Sequence, residues 1–157
     1  MNFVRLLDGF LILDACKQKA PNKVIFCKLQ SRKIIDVAEE DLHYFENLIG
    51  IDLSENKVRL EQLKNLKALL EVNLSYNQIN DIPVLQTTDF LNLEVLNLSY
   101  NKLSRRGLQS LSELQKLRVL DLSANSLFEL PQEFARYRAL EELNLSANEL
   151  DSTNPTI

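Results

Sequence analysis

Apolar and polar positions along this chain follow one template that returns about every two dozen residues. The segments LIGIDLSENKV (48–58), LLEVNLSYNQI (69–79), LEVLNLSYNKL (93–103), LRVLDLSANSL (117–127) and LEELNLSANEL (140–150) all read apolar-x-x-apolar-x-Leu-x-x-Asn-x-apolar. Aligned on the asparagine, Asn56, Asn77, Asn101, Asn125 and Asn148 lie 21, 24, 24 and 23 residues apart. The central apolar pair of each copy, such as Val72 and Leu74 or Leu96 and Leu98, is spaced by two, the period that sends both side chains to one face of a strand. The template therefore predicts one short parallel strand per copy. No single copy can hide its own apolar face, so the copies must stack around a shared leucine interior.

The recurrent asparagine falls where the chain leaves the strand. Its amide offers donors and acceptors at once, which suits it to satisfy turn backbone groups, including those of a neighbouring copy. An imperfect earlier copy, VIFCKLQSRKI (24–34), places Val24, Cys27, Leu29 and Ile34 at the apolar positions and Arg32 at the asparagine position. Cys27 is then a small core residue. Between strands, LEQLKNL (60–66), LQSLSELQKL (108–117) and LPQEFARYRAL (130–140) carry apolar residues at about every third position, as short α or 3-10 turns do. Pro131 opens such a turn, Pro83 marks a less regular return, and EEDLHYFENL (39–48) reads as the convex helix of the first copy.

These elements predict an α/β solenoid: a concave parallel sheet of five to six strands, short helices or 3-10 turns on the convex side, and an N-terminal helical cap. Residues 1–23 form the cap, with a helix expected over 3–19 that buries Phe3, Leu6, Leu7, Phe10, Leu11 and Leu13. Residues 24–47 are a degenerate first copy, 48–150 hold five regular ones, and all belong to one domain. After Leu150 only DSTNPTI (151–157) follows. An uncapped last copy is thus expected, in a chain that is a fragment of something longer or meets a partner end-on.

Residues facing away from the core fall into columns. One reads Lys28, Asp52, Asn73, Asn97, Asp121 and Asn144; another Phe26, Gly50, Glu71, Val95, Val119 and Glu142. A third, just before the asparagine position, reads Ser31, Glu55, Tyr76, Tyr100, Ala124 and Ala147, and a row of serines runs through Ser54, Ser75, Ser99, Ser123 and Ser146. Tyr76 and Tyr100 with Val95 and Val119 make an aromatic and aliphatic island ringed by polar groups, the composition either of a protein-binding hot spot or of tyrosines that pack against neighbouring copies. The candidate binding face is Asp52, Glu71, Asn73, Tyr76, Val95, Asn97, Tyr100, Val119, Asp121, Glu142 and Asn144. Its carboxylates favour a basic partner. A second group of cations, Lys102, Arg105, Arg106, Lys116, Arg136 and Arg138, falls on return segments and reads as solvated flank, with a second contact surface for an acidic partner as the alternative.

Composition narrows the chemistry. The 157 residues carry a net charge of −4, which does not suit a nucleic-acid binder. The N-terminal run FVRLLDGFLIL is broken by Arg5 and Asp8, against a membrane span or signal segment. Two cysteines make no disulfide framework and fit a reducing compartment, cytoplasmic or nuclear. His43 is the only histidine, so neither a metal cluster nor a catalytic triad is expected, and no cofactor. The NLS triplets at Asn73, Asn97 and Asn144 match a glycosylation sequon but follow from the repeat itself.

The template and its period resemble the intracellular leucine-rich repeat proteins, including the phosphatase-regulatory and axonemal members with repeats of mixed length. In the N-terminal third, LLDGFLILDACKQKAPNKV followed by EEDLHYFENLIGIDLSENKVRLEQL resembles the opening of the X-ray radiation resistance-associated protein family. These resemblances imply a non-enzymatic interaction scaffold. The alternatives they carry are a structural component of a large assembly such as the ciliary or flagellar axoneme, and a regulatory subunit of an enzyme such as a phosphatase. They supply no catalytic residues.

Overall fold

The computed structural model describes residues 5–151. Its centre is a six-stranded parallel sheet with one three-residue strand per coil: β2 (Phe26–Lys28), β4 (Gly50–Asp52), β5 (Glu71–Asn73), β6 (Val95–Asn97), β7 (Val119–Asp121) and β8 (Glu142–Asn144), hydrogen-bonded in that order. The register is the one the template demands. Cys27, Ile51, Val72, Leu96, Leu120 and Leu143 are partners from strand to strand, as are the columns on either side of them. The coil beginning at Val24 thus contributes a strand although it lacks the asparagine.

The interior is the leucine stack. Each of the first five coils sends inward the middle strand residue, the leucine two positions on, and apolar residues from its return segment; Leu53, Leu74, Leu98 and Leu122 are all fully buried. Each such leucine contributes roughly 1.5–3 kcal/mol relative to exposure. The return segments are tighter than ordinary helices. Asp41–Tyr44, Leu60–Leu63, Ser110–Glu113 and Gln132–Arg136 are 3-10 turns, and the only convex α-helix among the described residues is α2 (Arg105–Gln109), capped by Ser104. Within 39–48 the one regular element is the 3-10 turn Asp41–Tyr44, not the expected helix: the strand Ile34–Val37 takes up the first part of the same return and leaves little length for one. Around Pro83, residues 80–86 have no regular structure.

The N-terminus departs from the expected helix over 3–19. Residues Arg5–Leu7 form β1, which pairs in parallel with β3 (Ile34–Val37) as a separate two-stranded sheet, and only Gly9–Cys16 are helical (α1). The physical reason is Asp8. Its carboxylate accepts the Leu11 N–H at 2.8 Å and starts the helix there, while Lys17, at φ 52°, ends it in the left-handed region. The burial pattern changes with it. Leu7 and Ile12 are fully buried and Leu11 and Leu13 partly so, whereas Leu6 is exposed and Phe10 is 82% exposed. Phe3 lies outside the described residues, as do 152–157 of the tail.

Candidate interaction face

The asparagines form a continuous internal ladder. Asn56 Oδ1 accepts the N–H groups of Arg32 and Ile34 in the preceding coil, and its Nδ2 donates to the carbonyls of Leu29, Leu53 and Ser54. Asn101 repeats this with the N–H groups of Asn77 and Ile79 and the carbonyls of Leu74, Leu98 and Ser99. Asn77, Asn125 and Asn148 make the corresponding bonds, each reaching one coil back. The ladder is buried or nearly so and joins coil to coil; it offers nothing to a ligand.

Just before each ladder position the backbone turns left-handed. Ser31, Glu55, Tyr76, Tyr100, Ala124 and Ala147 have φ between 53° and 57°. None is glycine, a conformation that costs an L residue of order 1 kcal/mol and persists because ladder bonds on both sides fix the turn. The N–H groups of Ser31, Glu55, Tyr76, Tyr100 and Ala124 each bond the serine carbonyl of the following coil. Side chains of this row therefore stand one strand spacing apart along a single rim.

On that rim Tyr76 and Tyr100 stack, with ring centroids 4.2 Å apart and planes within 9°. Both remain about half exposed. Desolvation first, then the neighbouring Tyr100 phenol and the Glu55 carboxylate, push the Tyr76 hydroxyl above its ordinary pKa. Glu55, at the near end of the stack, accepts from Gln30 Nε2 and from the Ser31 hydroxyl, and these two bonds hold its carboxyl below the usual glutamate value.

The column beside the rim has structural work that the sequence reading did not assign. Asp52, Asn73, Asn97, Asp121 and Asn144 each accept, on Oδ1, the N–H of the serine two residues on, at 2.9–3.1 Å. These are Asx turns, which explain why only Asp or Asn stands there in five coils. The serines at 54, 75, 99 and 123 are buried by the same turn, so the serine row is not a contact surface; Ser146 alone is exposed. The signal was present in the Asp/Asn-Leu-Ser triplet of the five regular copies. What remains open outward is Glu71 and Glu142, with Val95 and Val119 half-buried side by side in register.

Two further features of the face were missed. The Phe26 ring lies across Gly50, so close that a Cβ on Gly50 would meet its Cδ1 at 2.4 Å. And Arg118 bridges two coils, donating to both carboxylate oxygens of Glu141 at 3.0 and 2.8 Å and to Glu94 at 3.2 Å. Reading the column 94, 118, 141 as Glu-Arg-Glu would have found it. Arg118 is thus a paired cation rather than a free one. Elsewhere, Arg105 on the convex flank is matched by Glu129 at 2.8 Å. Cys27 is buried, and that burial pushes its thiol well above the ordinary range. His43 is exposed. Among the described residues no three His, Cys, Asp or Glu side chains are grouped to hold a metal ion, and no helix is long and apolar enough to cross a membrane.

A parallel sheet of one strand per coil, an internal asparagine ladder and 3-10 returns define a leucine-rich repeat solenoid. The family model described as leucine rich repeat matches residues 68–127 and 92–150, more than half of the chain between them, and the chain belongs to that family. Among solved structures it is similar to a leucine-rich repeat protein of Leptospira interrogans, at 25% identity and TM-score 0.73, and to an internalin of Listeria monocytogenes, at 20% identity and TM-score 0.73. Both alignments cover 93% of this chain, but it spans only 36% and 45% of those two chains. The search of curated proteins finds no match. Leucine-rich repeat domains are typically non-catalytic and generally act in protein–protein interaction.

Proposed function

We propose that this chain is a non-catalytic scaffold that binds a protein partner along the concave sheet and the rim beside it, with Tyr76 and Tyr100 as the anchor. The observation that carries this reading is the stacked, half-exposed tyrosine pair on a backbone fixed from both sides. A rigid aromatic pair offers a large contact area at low ordering cost, which is what interface hot spots require. The carboxylates of Glu71 and Glu142, exposed on the same sheet, favour a basic partner. The test is to identify a partner by affinity purification, purify it, and measure its binding to the Tyr76→Ala/Tyr100→Ala variant. Loss of binding of about tenfold or more by a folded variant supports the reading; unchanged affinity removes this face.

A second reading is end-on contact at β8, as in a permanent assembly. Leu143 is exposed and Leu145 and Leu150 are only partly buried, at positions where Leu120, Leu122 and Leu127 of the previous coil are buried. The free thiols of Cys16 and Cys27 suit a reducing compartment such as the cytoplasm or nucleus. An axonemal or phosphatase-regulating role rests on the family resemblances noted above, and on no feature of the described surface.

A further inference from the structure

The tyrosine stack is closed at one end and open at the other. Toward the N-terminus it meets Glu55, itself held by Gln30 and Ser31. Toward the C-terminus the next two members of the same rim are Ala124 and Ala147, both at φ 54°, in the same backbone state as the tyrosines. Ala124 N–H bonds the Ser146 carbonyl at 3.0 Å, just as Tyr100 N–H bonds that of Ser123 at 2.9 Å, so the rim continues at the same interval. Neighbouring strands lie about 4.8 Å apart, close to the separation of stacked planar groups. The far face of Tyr100 therefore looks over a shelf of two methyl groups, where a third and fourth ring would stand if the residues were tyrosines.

We propose that this shelf is a binding slot for an arginine side chain of the partner, its guanidinium lying flat on Tyr100 above Ala124. This deepens, and rests on, the interaction reading given above. Two properties select arginine. The slot takes a planar group, and the guanidinium is the planar cation that stacks on aromatic faces within about 6 Å of the ring centroid. The surroundings favour a cation: the outward columns of the sheet carry Asp52, Glu71, Asp121 and Glu142 against Lys28, and Arg118 beside them is already paired with Glu94 and Glu141. Asp121 Oδ1 is engaged by Ser123 and its Oδ2 by Asn144, which leaves exposed Glu142 as the sheet carboxylate of these last coils for a partner to meet.

The test uses the full chain and three blocked pentapeptides, glycine-flanked, with arginine, lysine or citrulline at the centre. Lysine keeps the charge without the plane, and citrulline keeps the plane without the charge. The arginine peptide is expected to shift the NMR resonances of Tyr100, Ala124 and Ala147, and the other two to bind several-fold more weakly. Ala124→Leu fills the slot with a non-planar side chain that offers no new aromatic face over Ala147, and is expected to weaken arginine-peptide binding by about tenfold. Ala124→Gly leaves the slot open and retains binding. The slot is overturned if Ala124→Leu, folded by circular dichroism, binds the arginine peptide as the parent does, if lysine binds equally well, or if the shifts map to the convex flank. With the purified partner, loss in Tyr76→Ala/Tyr100→Ala but not in Ala124→Leu overturns the slot and leaves the face; loss in neither overturns both.

Discussion

Asn101 Oδ1 accepts the backbone N–H groups of both Asn77 and Ile79, at 3.0 and 2.9 Å, so that one side chain completes the turn of the coil before it. Its Nδ2 is shared among three carbonyls from two coils. Asn101→Ala leaves these groups buried without partners, and is expected to destabilise the fold by roughly 2–4 kcal/mol. Asn148→Ala, at a partly buried position that water can reach, is expected to cost clearly less. Chemical denaturation of the two variants checks the order; equal losses would contradict it.

The Asx turns predict a different tolerance one column away. Asp121→Asn keeps the Oδ1 that Ser123 N–H and Oγ bond, and Asn stands at the equivalent position of three other coils. It is expected to be neutral within ~0.5 kcal/mol. Asp121→Ala removes the acceptor and is expected to cost about 1 kcal/mol. Thermal unfolding of the pair distinguishes this structural role from a purely surface one, in which both changes are silent.

Two glycines face crowding of opposite kinds. A Cβ on Gly50 would strike the Phe26 ring, but that ring is 58% exposed and can swing away. Gly50→Ala is therefore expected to be tolerated. A Cβ on Gly107 would meet Asn80 O and Asp81 Cα, both at 3.0 Å and both backbone. Gly107→Ala is expected to destabilise by about 1–3 kcal/mol, because the chain around Pro83 must shift. Denaturation midpoints give the comparison.

Acid should act at the two glutamates whose carboxyls are held low. Glu55 is held by Ser31 and Gln30, and Glu141 by hydrogen bonds from Arg118. A carboxyl with a depressed folded pKa contributes stability that is complete above its unfolded value and lost as the pH falls through the folded one. Carboxyl NMR titration is expected to find both midpoints below that of an ordinary glutamate. Arg118→Ala should raise that of Glu141 alone, and Ser31→Ala that of Glu55 alone. A shift at both sites in either variant would contradict separate causes.

Much of this arrangement is legible in the leucine template, because one short motif sets the strand, its register and the ladder together. The columns of Val95 and Val119, or Asn73 and Asn97, follow from counting back from each asparagine. What was not legible depends on contacts far apart in sequence or on competing local chemistry. The β1–β3 pair joins residues about 30 positions apart, and Asp8 interrupts a run whose apolar spacing alone suggests one helix. The Asp and Asn column looked like free surface because its partners are backbone N–H groups, which no side-chain pattern displays.

The bonds that join coils point backward: each asparagine's Oδ1, and one of its Nδ2 bonds, reaches the coil made before it. A loop of this chain is consequently unfinished when its own last residue has been added; its amides wait for a side chain encoded some twenty residues later. During synthesis the growing end always trails one incomplete turn, and assembly advances by closing the loop behind it.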